Sequence, residues 1–157
     1  MLRFTKIIFI CLFLVSAFTQ SKIFAQGAQC VDANTLARYK NTKVGLYEYA
    51  VFIFNRPTGF TYSVNSVSPP FDFDPSGEII TVSGSKFRQI TFSNVGWMCV
   101  SANNVHIIPG RKINGLKMIQ QFEGKVSLVV GYRSNVSYRG TYTYNSGNYK
   151  YVVMKFR

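Results

Sequence analysis

Apolar and polar positions alternate with a period of two along most of this chain, and turn residues interrupt them roughly every 8–12 residues. Residues 44–54 are apolar on both sides. Val44, Leu46, Ala50, Phe52 and Phe54 alternate with Tyr47, Tyr49, Val51 and Ile53. A strand of that kind is predicted to be central in its sheet. Residues 55–59 form a turn, and 60–67 resume the alternation. Further strands are predicted at 78–82, 86–92, 96–101, 105–108 and 125–133. Residues 116–122 fit a strand or a single helical turn equally. Prolines 69, 70 and 75 exclude a central strand from 68–77. One short helix is expected within 31–42, where Asp32 can cap and Leu36 and Tyr39 stand three apart.

The C-terminal stretch reads as a hairpin. Tyr138 to Tyr144 and Tyr149 to Phe156 flank the polar turn Asn145-Ser146-Gly147-Asn148. A two-residue Ser146-Gly147 loop sets Tyr144 opposite Tyr149, Tyr142 opposite Tyr151 and Tyr138 opposite Lys155. Tyr142, Tyr144, Tyr149 and Tyr151 then share one face, either packed inward as core or exposed as a binding platform. The core reading is the ordinary one for a face of an antiparallel strand.

With no regular alternation of helix and strand, the fold class is all-β. The expectation is a single antiparallel β-sandwich, or a closed barrel, of about eight to nine short strands. The first 26 residues stand apart. Arg3 and Lys6 precede an apolar run at 7–18, and small residues follow. That run is shorter than the ~20 residues of a spanning helix, so it reads as a secretory signal peptide cleaved near residues 25–27. Residues 27–157 form the expected domain, secreted or periplasmic and without a transmembrane helix.

Charge sharpens this picture. Losing Arg3, Lys6 and Lys22 leaves 15 Lys and Arg against six acids, a net +9. Such an excess attracts anionic glycans and cell-surface polymers, or simply keeps a secreted protein soluble. Arg111, Lys112 and Lys117 concentrate it between residues 110 and 117. Cys11 leaves with the leader, and Cys30 and Cys99 remain as an even pair suited to one disulfide.

The catalytic inventory is thin. His106 is the only histidine, and no G-x-S-x-G elbow occurs. Residues 110–117 imitate the G-x-x-x-x-G frame of a phosphate loop, but the lysine falls one place late. Asp72, Asp74 and Gly77 imitate half a Ca²⁺ loop, but Ser83 stands where the bidentate Glu belongs. Asp74 to Gly77 suits a type I turn instead. We therefore expect no catalytic residue, no metal and no cofactor. The expected function is a non-enzymatic module that binds an anionic or glycan-bearing partner through Tyr142, Tyr144, Tyr149, Tyr151, Arg111, Lys112 and Lys117. No specific nucleic-acid recognition is expected. One alternative is a protein inhibitor of a secreted hydrolase that presents the 68–77 loop. The other is a small outer-membrane β-barrel.

Overall fold

The structure, a computed structural model, describes residues 30–100 and 111–157. The expected leader, the strand expected at 105–108 and His106 lie outside these residues. The described residues contain eleven strands and no helix. They are β1 (Thr35–Val44), β2 (Tyr47–Asn55), β3 (Thr61–Val67), β4 (Phe71–Phe73), β5 (Glu78–Ile80), β6 (Lys86–Ser93), β7 (Trp97–Met98), β8 (Ile113–Phe122), β9 (Lys125–Tyr132), β10 (Tyr138–Ser146) and β11 (Tyr149–Phe156).

They build a sandwich-like pair of sheets with a small third layer. The first sheet has the order β10-β11-β2-β1-β7, the second β3-β6-β9-β8, and β4 pairs only with β5. None of the three closes, so the barrel alternative is not formed, and the strand count exceeds the eight or nine expected. The β1–β7 pairing is parallel, which makes the first sheet mixed rather than wholly antiparallel.

The main core lies between the two larger sheets. Ala50, Phe52, Phe54, Val152, Met154 and Phe156 of the first sheet meet Ile90, Phe92, Leu128 and Val130 of the second. Phe92 packs edge-on to both Phe52 and Phe54, at 5.2 and 4.8 Å between centroids. Burying such side chains stabilises by roughly 1.5–3 kcal/mol each. On the far side of the second sheet, Phe71, Val82 and Val129 form a separate cluster under the β4–β5 layer. There the 82–84 strap crosses directly over the paired glycines Gly115 and Gly131.

Bulges explain where the periodicity misled. The helix expected within 31–42 is strand β1 from Thr35 onward. A bulge between Leu36 and Arg38 inserts one residue, so Leu36 pairs with Phe54 and Tyr39 with Phe52. Both therefore face the core despite standing three apart, which imitates a helical period. The ambiguous stretch 116–122 lies in β8, whose two register shifts blur its alternation in the same way. The 68–77 segment is a short strand and a five-residue turn, closed from the Gly77 N–H to the Phe73 carbonyl, in place of the expected type I turn. The expected disulfide is present: Cys30 is bonded to Cys99, with Cα atoms 5.6 Å apart. It staples the segment leading into β1 to the residue just after β7.

Candidate functional site

The hairpin forms, but two residues out of the expected register. Tyr144 pairs with Tyr151, Tyr142 with Val153 and Ser146 with Tyr149. The loop is therefore Gly147-Asn148, with Gly147 at φ 56°, the left-handed geometry a type II′ hairpin takes at its first loop position. A shift of two preserves the face, so Tyr142, Tyr144, Tyr149 and Tyr151 remain together. Tyr138 is the exception. A bulge before Thr141 pairs it with Phe156 and turns it into the core.

The tyrosine face points away from the sandwich, which corrects the ordinary core reading. Val152, Met154 and Phe156, on the opposite side of β11, fill the core. On the outer side, Val51, Ile53 and Val153 form a buried aliphatic floor with Tyr49, Tyr149 and Tyr151 packed against it. Tyr142 and Tyr144 stand on the β10 edge, 47% and 46% exposed. Tyr144 lies parallel to Tyr151 at 4.6 Å, and Tyr142 follows at 6.5 Å. Desolvation pushes the Tyr142 phenol up, and the neighbouring Tyr49 and Tyr144 add to that.

Cations bracket this face at both ends. Arg38 lies 5.9 Å from the centre of the Tyr149 ring. At the other end Lys155 sits 3.9 Å above Tyr47, with Arg157 at 5.7 Å. Each such contact contributes about 0.5–1 kcal/mol at an exposed site. Lys40 joins them through its pairing with Val51. From Tyr47 to Asn55 the face extends about 26 Å at roughly 3.3 Å per residue. Tyr47, Tyr49, Arg38, Lys40, Lys155 and Arg157 were not among the residues singled out from sequence. The Tyr47-x-Tyr49 alternation into Val51 and Ile53 was the available signal.

The basic residues expected from sequence do not join the tyrosines, and Lys117 separates from Arg111 and Lys112. Lys117 pairs with Val129 on the outer side of the second sheet, beside a cleft shared with Phe73 and Ile80. Arg111 and Lys112 lie at the mouth between the two large sheets, in a cleft of about 410 Å³ with Lys43, Glu48 and Arg133. Glu48 is wholly buried at the end of β2. Its Oε1 accepts from the Asn41 side chain at 2.7 Å, and its Oε2 from the Lys112 backbone N–H at 2.7 Å. Burial, and then the Glu48 carboxylate, push the Tyr39 phenol up. Glutamine at position 48 keeps one carbonyl acceptor for two donors. Glu48→Gln should therefore destabilise by about 2 kcal/mol, read as a lower urea midpoint. An unchanged midpoint would show that Glu48 does not hold the β1 and β8 ends together.

A third cleft, of about 660 Å³, is lined by Ser66, Ser85, Arg88, Ser137 and Tyr138 among others. Arg88 lies over the Tyr138 ring at 4.8 Å. Among the described residues, no group of three or more His, Cys, Asp or Glu is placed to hold a metal. Asp74 instead accepts a hydrogen bond from Gln120 at 2.7 Å, which ties the proline-rich segment to β8. No helix among the described residues is long and apolar enough to cross a membrane. No protein-family model matches the chain, and no curated protein matches it.

Proposed function

We propose that this is a secreted, non-enzymatic binding module whose outer tyrosine face lies along an anionic glycan or a similar cell-surface polymer. One observation carries the reading. Six tyrosines of β2, β10 and β11 share a solvent-side face over an aliphatic floor, with cations at both of its ends. Aromatic rings stack on the apolar faces of sugars, and the flanking cations meet their acidic substituents. The disulfide is compatible with an oxidising compartment. The inhibitor reading has less beneath it, because Phe71 in the middle of its loop is buried against Phe87.

The test is binding of the mature domain to a panel of acidic and neutral glycans, heparin-like polymers and nucleic acids, at low and physiological salt. One acidic glycan class should survive physiological salt. Tyr142→Ala with Tyr144→Ala should weaken it at least about tenfold while the domain stays folded, since both rings are half exposed and loss of the Tyr144–Tyr151 stack costs only about 1 kcal/mol. Binding that is unselective and gone at about 0.15 M salt would sink the proposal and reduce the charge to surface chemistry.

A further inference from the structure

The cleft around Glu48 differs in chemistry from the tyrosine face. Three of the four buried side-chain atoms without a hydrogen-bond partner among the described residues belong to side chains that line this cleft or interact with Glu48. They are the Tyr39 hydroxyl, Asn41 Oδ1 and Arg111 Nη1. Asn41 is bonded to Glu48, Arg111 lines the cleft with it, and the Tyr39 phenol responds to its charge. Buried polar atoms are nearly always paired, so a local concentration of unpaired ones marks a place built for an additional partner.

The walls identify the charge of that partner. Lys43, Arg111, Lys112 and Arg133 supply four cations against the single carboxylate of Glu48. Glu48 is fully buried, and each of its oxygens already accepts a hydrogen bond. Its place is structural: it holds the Lys112 backbone, and Lys112 in turn accepts from the Arg133 N–H at 3.1 Å. The two basic segments are thereby fixed to each other and to β2. Two guanidinium groups offer planar forks that match the oxygens of a tetrahedral oxyanion. An excess of three positive charges favours a dianion over a simple carboxylate. The cleft, about 410 Å³, also exceeds what a bare ion fills.

We infer that this cleft binds a sulfate or phosphate group, carried as the monoester of a small molecule of sugar size. The site is separate from the tyrosine face. The cleft opens between the sheets, whereas the tyrosines lie on the outer side of the first sheet.

Calorimetric titration of the full mature domain tests this, with glucose 6-phosphate, glucose 6-sulfate, inorganic phosphate, inorganic sulfate, acetate and chloride at matched ionic strength. The esters should bind more tightly than the inorganic ions, and acetate and chloride should give no saturable heat. Equal affinity for ester and inorganic ion would assign the site to the free oxyanion and overturn the ester. Arg133→Gln should weaken oxyanion binding about tenfold. Lys43→Gln is the second variant, should Arg133→Gln fail to fold. Lys117→Gln, in a different cleft, and Tyr142→Ala with Tyr144→Ala should leave it unchanged. Acetate binding as well as phosphate, or full affinity retained in the folded cleft variants, would overturn the oxyanion site.

Discussion

Removing the Cys30–Cys99 bond, by replacing both cysteines with alanine, is expected to lower stability by about 4 kcal/mol. The bond closes a loop across a sequence separation of 69, and the chain entropy the unfolded state regains when so long a loop is opened sets that magnitude. Local structure gives the staple more to hold. β7 is only two residues long and reaches the sheet through parallel pairing of Trp97 and Met98 with Thr35 and Leu36. The Cys99 N–H donates to the Leu36 carbonyl at 3.0 Å, and the Cys30 carbonyl accepts from the Asn55 side chain. Without the bond, β7 keeps few ties to β1. Urea unfolding of the oxidised protein, the reduced protein and the double variant measures the effect. Agreement of all three within about 0.5 kcal/mol would show that the sheet contacts hold this corner without the disulfide.

Gly131→Ala comes next, with an expected loss of about 3 kcal/mol. Its φ is not in the left-handed region, so the conformation itself tolerates alanine. Space does not. A methyl group there would run into the Ser83 carbonyl oxygen and stand 3.0 Å from the Ser83 carbonyl carbon. The paired Gly115 meets the same obstacle, with a Cβ 2.6 Å from Ser83 O. Both glycines thus lie beneath one crossing of backbone over sheet. Because the obstacle is backbone, trimming the neighbouring side chain by Val82→Ala should not rescue the variant. A loss below about 1 kcal/mol in urea unfolding, or rescue by Val82→Ala, would place the strap farther from the sheet.

Much of the architecture was legible because side chains obey the pleat. The two-sided apolar run around Phe52 did become a central strand, and the even pair of cysteines did bond. What failed has a common physical source. At Leu36/Arg38 and before Thr141, bulges break the period of two, so Tyr39 read as helical and Tyr138 as a member of the outer face. No local propensity marks the bulge after Leu36, which answers to the twist and pairing of strands distant in sequence, whereas Gly140, at φ 110°, marks the one before Thr141. The tyrosine block was visible, but its outward aspect was not. That aspect depends on which side of β11 meets the second sheet, and Val152, Met154 and Phe156 win that side because they carry no polar tip. The oxyanion cleft was half visible. Arg111 and Lys112 stood out as a basic run, whereas Lys43 and Arg133 join them only through folding. Glu48 was the missing position in the otherwise apolar series Leu46, Ala50, Phe52 and Phe54. An acid on a core-facing row is the signal that the cleft has a polar floor.

The strand order also governs when this domain can fold. β11, last along the chain, is flanked by β10 on one side and β2 on the other. Even Arg157 exchanges two backbone hydrogen bonds with Ser137. Until those residues are available, β2 has an open edge, and the core lacks Val152, Met154 and Phe156. Completing the core therefore needs the long-range pairing of β11 with β2, and folding dominated by such non-local contacts is expected to be slow, in the millisecond-to-second range of β proteins.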